Sequence, residues 1–194
     1  ESLKAFQKAD RVGRARFQWE LPSDTWIQTV GKLIEQDRRL EEIVAGTQHP
    51  RDPDETLLTF VRICLDKRRY TDGYALVQRH LADGGELDSE DASAGPAFTA
   101  AAAALGTAGV GPEGSELRKW AREQLQGEVK RLEWVAYEQD PARRATARST
   151  LEQWRRNPHL ATVRGPQIDQ LPGREKSLWR SFWRRLDQLL EKAP

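Results

Sequence analysis

The chain has 194 residues, 31% of them charged and 38% apolar, with seven tryptophans and a formal net charge of +1. That length can bury a core as one domain or two small packed ones, and the aromatic content excludes the disordered class. Cys64 is the single cysteine, which excludes an intrachain disulfide and a cysteine-based metal site; no apolar run reaches the ~20 residues of a membrane span and no secretory signal is present, so a cytoplasmic location is expected.

The charge is unevenly spread. Residues 1–113 carry 14 basic and 19 acidic side chains, a net −5, whereas residues 114–194 carry 17 and 11, a net +6. The second part is therefore a candidate anion-facing surface, or a set of solvated helix faces. The absence of methionine and the opening Glu1 read as a piece of a longer chain.

The apolar residues recur with helical period along almost the whole sequence. Leu3, Phe6, Ala9 and Val12 form a first stripe. After Pro22, Ser23 caps a helix carrying Trp26, Val30, Leu33, Ile34, Leu40 and Val44, which Gly46 ends. Asp52 and Pro53 start a helix with the stripe Leu57, Phe60, Val61 and Cys64, proline being tolerated in the first turn. A basic turn, Lys67 to Arg69, leads to Tyr70 and a partner helix with Tyr74, Val77 and Leu81.

Residues 82–96 read as an acidic, glycine-containing linker. Phe98 to Leu105 is an alanine-rich helix, whose small side chains allow close packing, and Gly106 to Gly114 is a second break. A long helix, Ser115 to Tyr137, places Leu117, Trp120, Ala121, Leu125, Val129, Leu132 and Ala136 on one side. Trp134 lies off that stripe, so two buried faces are expected. Asp140 and Pro141 open a helix with Ala147, Leu151 and Trp154 that stops at Asn157 and Pro158. The last helix starts near Leu171 and Pro172 and shows Trp179, Phe182, Trp183, Leu186 and Leu190 on one face. No stretch alternates with period two, so about eight helices in antiparallel pairs are predicted.

One pair fits the tetratricopeptide pattern, a helix–turn–helix repeat of about 34 residues. Leu57, Phe60, Val61 and Cys64 fill the first helix, Tyr70 the turn, and Gly73 a small-residue position; His80 departs from the pattern. Ser2, Phe6 and Ala9 fit the second helix of another repeat, so the chain begins in mid-repeat. With Trp19, Pro22, Trp26, Trp120, Leu151, Trp154, Pro158, Leu160, Val163, Arg164, Leu171, Pro172, Glu175 and Trp179, nearly the full length resembles the C-terminal region of large bacterial proteins with an N-terminal serine/threonine kinase domain. It departs from those tails over residues 93–114, where Phe98 and an alanine run replace an Asn-Ala-Ala-Cys-like helix. The resemblance implies a tetratricopeptide-like α-solenoid over residues 1–92. Over residues 93–194 it implies a Trp-rich helical cap built on Trp120, Trp154, Trp179 and Trp183. Any kinase activity would belong to other sequence.

Catalytic signals are weak. Gly109-Val-Gly111-Pro-Glu-Gly114 matches G-x-G-x-x-G, but it follows a helix and contains Pro112, whereas a phosphate loop follows a strand. His49, His80 and His159 have no second ligand at metal spacing. Cys64 and Ser115 have no partnered base; they read as a buried small hydrophobe and a helix cap. No catalytic, cofactor or metal residue is assigned.

The expected function is protein or peptide binding on the first-helix face Glu55, Leu58, Arg62 and Leu65. There Arg62 would clamp a carboxylate or pair with a neighbouring acid. The alternative is nucleic-acid or anionic-surface binding through the arginine pairs at 143–144, 155–156 and 184–185, interleaved with tryptophan. An enzyme of the hydrolase type ranks below both.

Overall fold

A computed structural model describes residues 5, 8, 23–50, 56–87, 95–136 and 140–192. All regular elements among them are helical, and no strand occurs among them. The chain divides into two compact units, Glu1–His49 and Pro50–Pro194. The first stripe, Leu3 to Val12, and the start at Asp52 and Pro53 lie outside the described residues, as does the boundary at residues 92 and 93.

In the first unit, α1 spans Ser23–Ala45. Gly46 ends it with φ +77°, in the left-handed region that favours glycine. Its buried residues are Gln36, Arg39, Leu40 and Ile43, and Arg39 donates from Nη2 to the His49 carbonyl at 3.0 Å. Val30, Ile34 and Val44 of the expected stripe are half-buried, and Leu33 is exposed.

The second unit begins with α2 (Leu57–Asp66) and α3 (Tyr70–Ala82), which pack side by side across a tight turn. Arg68 takes φ +58° in that turn, and the Arg69 N–H closes on the Cys64 carbonyl at 2.8 Å. Leu57, Leu58, Phe60, Val61, Cys64 and Leu65 are all buried, a wide apolar stripe running the length of the helix. Gly73 of α3 sits where the helices nearly touch. A Cβ there would lie 3.2 Å from the Cys64 Cβ and 3.5 Å from the Ala103 Cβ.

Ala103 belongs to α4 (Pro96–Ala108), the central helix. Every residue from Ala97 to Leu105 is buried, and a helix that is apolar all round must be enclosed. Here α2 and α3 cover one side and α5 (Ser115–Ala136) another, entered through a short 3₁₀ turn, η1 (Pro112–Gly114). The α5 stripe runs through Arg118, Ala121, Arg122, Leu125, Glu128, Val129, Leu132 and Val135. It is a single buried face: Trp134 is 77% exposed, which corrects the expectation of two.

Next comes α6 (Pro141–Arg156), where Pro141 sits in the first turn and Asp140 Oδ1 accepts from the Ala142 N–H at 2.9 Å. Asn157 stops it, and its Oδ1 accepts from the His159 N–H at 2.9 Å. Two 3₁₀ segments follow, η2 (Pro158–Val163) and η3 (Gly165–Gln170), each with proline in its first turn. The last helix, α7 (Gly173–Lys192), buries Trp179, Phe182, Trp183, Leu186, Leu189 and Leu190.

Tryptophans supply much of this region's core. Trp154 stacks on Phe98 of the central helix α4 with centroids 4.9 Å apart. Trp179 and Trp183 each meet Phe182 edge-on. Trp183 Nε1 donates to the Val163 carbonyl at 2.7 Å. The Nε1 atoms of Trp154 and Trp179 are buried with no partner among the described residues.

A candidate anion-binding hollow beside the last helix

The reversal from α6 through η2 and η3 into α7 places side chains that are distant in sequence around one hollow. Arg180, Trp183, Arg184 and Asp187 have the i, i+3, i+4, i+7 spacing of one helix face. Arg155 comes from the last turn of α6, where a cation suits the negative helix end. Arg164 and Gly165 come from the junction of η2 and η3, and Ile168 from η3. These eight residues line a hollow of about 590 Å³, within the ~300–1,000 Å³ typical of ligand sites.

The hollow is strongly basic: four arginines face one aspartate. Arg155 Nε lies 3.4 Å from Asp187 Oδ1, both half-exposed. Arg180 Nη2 donates to Asp169 Oδ1 at 2.6 Å. Arg184 is exposed and makes no hydrogen bond or ion pair among the described residues. Arg164 donates to the Trp154 carbonyl at 3.2 Å and to the Arg155 carbonyl, so it caps the end of α6. Its guanidinium carbon also stands 5.9 Å from the centre of the Trp183 ring. Burial lowers its pKa from the ordinary arginine value. No carboxylate neutralises Arg164 among the described residues, so its charge is held by neutral dipoles and a ring face.

A second charged site is internal. Arg118 is fully buried and grips Glu175, itself 7% exposed, with Nη2 3.0 Å from Oε2 and Nε on Oε1. Arg118 Nη1 donates to the Gly109 and Gly111 carbonyls at 2.9 and 2.8 Å, and Ser115 Oγ donates to Glu175 at 3.3 Å. The glycine-rich segment thus turns carbonyl oxygens toward a guanidinium. A phosphate loop would turn N–H groups toward an anion, so its chemistry here has the opposite polarity.

The partner-binding face expected on α2 is not an open surface. Glu55 lies outside the described residues. Leu58 and Leu65 are buried, because the apolar stripe is wide enough to take them in, and only Arg62 is exposed. Tyr70 and Gly73 are packing residues. The Tyr70 hydroxyl is 3.2 Å from His159 Nδ1, and its ring covers Gly106. Trp120 meets Tyr74 edge-on.

Cys64 is fully buried. Burial lowers the His159 pKa, Asp66 opposing that effect and Arg68 adding to it. His80 lies 3.1 Å from the Glu86 carbonyl, and His49 is exposed. Among the described residues no three His, Cys, Asp or Glu side chains are grouped to hold a metal, and no helix is long and apolar enough to cross a membrane.

The sequence flagged the arginine pairs and read them as solvated faces beside core tryptophans. Arg164 and Arg180 were missed as members of one site. The spacing of Arg180, Arg184 and Asp187 on α7 was a usable signal; the arrival of Arg155 and Arg164 depends on the chain reversal. No protein-family model matches the chain, and neither a curated protein nor a solved structure shows significant similarity to it.

Proposed function

We propose that this chain is a non-catalytic helical interaction domain that binds a protein segment, in a cytoplasmic bacterial signalling protein of the kinase-plus-tetratricopeptide type. The observation that carries the binding role is the arginine hollow on α6, η3 and α7. Guanidinium groups carrying more positive charge than their carboxylate neighbours neutralise favour an anionic partner. The kinase-type parent rests on the sequence resemblance alone. The tetratricopeptide assignment draws support from the close α2–α3 pair and its Gly73 contact.

A purified binding pair tests the reading. Photo-crosslinks from position 184 identify a protein, and that protein, once purified, binds the chain. Arg180→Glu with Arg184→Glu is expected to weaken binding at least ~tenfold, the scale of losing a charged hydrogen bond. Binding indifferent to both changes would sink the reading, as would catalytic turnover abolished by changing a polar residue of a cleft.

The net +6 of residues 114–194 favours a second reading, nucleic-acid binding. Its weak point is Trp183, which is buried, partly covered by Arg164 and tied to Val163 through its N–H. A base-stacking platform needs an open ring face. Titration with single-stranded oligonucleotides across a salt series decides: no binding at low salt, where phosphate contacts are strongest, removes this reading.

A further inference from the structure

We propose that the hollow between the end of α6, η3 and α7 is a receptor for a phosphoryl group carried on a peptide side chain. This rests on the protein-binding reading above and names the chemistry of the partner. Four features support it.

The first is charge. Arg155, Arg164, Arg180 and Arg184 line the hollow against Asp187 alone, a net +3, or +2 when Asp169 at its edge is counted with Arg180. A dianion matches that excess better than one carboxylate does. The second is the donor type. Every cation lining the hollow is arginine, whose planar fork offers paired N–H groups to phosphate oxygens.

The third is pre-organisation. Arg164 is fixed by two carbonyls of α6 and by the Trp183 ring, so little side-chain freedom remains to be lost when an anion arrives. Its guanidinium is partly desolvated and faces no acid, which strengthens its attraction for an incoming negative charge. Arg184 is open and unengaged, and so supplies a donor without breaking an internal contact.

The fourth is shape. About 590 Å³ admits one phosphorylated side chain with its flanking backbone. Trp183 is largely buried and partly covered by Arg164, so little of its ring is open to a nucleobase. The competing acids define the cost: Asp187 holds Arg155 at 3.4 Å and Asp169 holds Arg180 at 2.6 Å. A bound phosphoryl group shares these arginines with them.

Calorimetric titration of the 194-residue chain tests the proposal. The probes are an alanine-flanked phosphothreonine peptide, its unphosphorylated twin, a glutamate twin, inorganic phosphate and single-stranded oligothymidylate. The phosphopeptide is expected to bind, and the unphosphorylated twin is not. Arg180→Gln with Arg184→Gln should weaken binding at least ~tenfold. Asp187→Asn should strengthen it by freeing Arg155. Far-UV circular dichroism and an unchanged unfolding midpoint confirm that each variant is folded.

Equal binding of both twins, or affinity untouched by the arginine changes, overturns the proposal. Binding of inorganic phosphate without the phosphopeptide assigns the hollow to free phosphate compounds instead. Preference for the glutamate twin sinks phosphoryl recognition but leaves protein binding standing. Oligothymidylate bound more tightly through the same arginines overturns both.

Discussion

The two ends of the second unit are held together by opposite means. Around α2, α3 and α4 the closest helix approaches are made by small residues. Gly73, Cys64 and Ala103 bring three helices to near contact, and the alanine run keeps α4 thin enough to be enclosed. Around α5, α6, η2, η3 and α7 the interior adds large aromatic and charged side chains to its aliphatic ones: Trp154, Trp179, Phe182, Trp183, Arg118 and Glu175.

Close backbone approach leaves little room for error and few polar groups to satisfy. Large side chains fill volume readily but bring polar atoms inside, and two indole N–H groups there have no partner among the described residues, at ~1–3 kcal/mol each. The candidate site lies at the large-residue end, where the chain reverses through two 3₁₀ segments and leaves arginines at its rim.

The largest effect is expected at the buried ion pair. Glu175→Gln leaves the Arg118 charge enclosed without its counterion, and losses of about 3–5 kcal/mol follow when one partner of a buried pair is removed. Urea denaturation measures it. Arg118→Met combined with Glu175→Leu removes both charges and should recover most of that loss. A double variant as unstable as the single would mean that the pair holds the α5 and α7 starts through something other than charge.

Next is the small-residue contact. Gly73→Val drives a branched side chain toward Cys64 and Ala103, and overpacking of this kind costs about 1–3 kcal/mol. Gly73→Ala should fall within ~1 kcal/mol of the parent, because the gain in helix propensity opposes a contact that needs its neighbours to move a few tenths of an ångström. A tolerated valine would show that α2, α3 and α4 can separate, and the contrast between the two ends would weaken.

How much of this was legible follows the same division. Elements set by local chemistry could be read: Asp140 with Pro141 opens α6, Asn157 with Pro158 closes it, and the aromatic spacing of α7 fixes its buried face. The stripe of α5 was blurred because two of its core positions carry arginine. Periodicity assigns a charged residue to solvent, whereas Arg118 is enclosed by partners 9 and 57 positions away. Trp134 fails in the other direction, an apolar residue left outside. Leu58 and Leu65 failed because the width of a buried stripe is set by how many neighbours enclose the helix. The hollow needed the long-range return of α7 beside the end of α6, which no local pattern encodes.

One of the contacts joining the two ends is Tyr70 with His159, and it should respond to pH. The folded pKa of His159 lies below the ordinary imidazole value, chiefly through burial. The unfolded chain therefore binds the proton more readily, and stability rises with pH across the window between the folded and unfolded values. His159 contributes fully above about 6.5, the ordinary value, and its contribution is lost as pH falls through the folded pKa. Unfolding midpoints of the parent and of His159→Gln, measured from pH 7.5 to pH 5, should converge on acidification. Parallel curves would exclude this histidine as the source of the pH dependence.

The smallest expected change sits beside that contact. Arg68 holds φ +58°, a conformation that costs a residue with a Cβ about 1–2 kcal/mol. Arg68→Gly removes that strain and adds the ~0.5–1 kcal/mol of extra freedom that glycine gives the unfolded chain. The net gain is then between zero and about 1.5 kcal/mol, and Arg68→Ala, which keeps the Cβ, should show none of it. Charge separates a second component. Arg68 disfavours the protonated His159, so both variants should lose less stability than the parent as pH falls from 7.5 to below 6.5. A gain in the glycine variant alone, unchanged with pH, would assign the effect to backbone strain only and leave Asp66 and burial to set the His159 response.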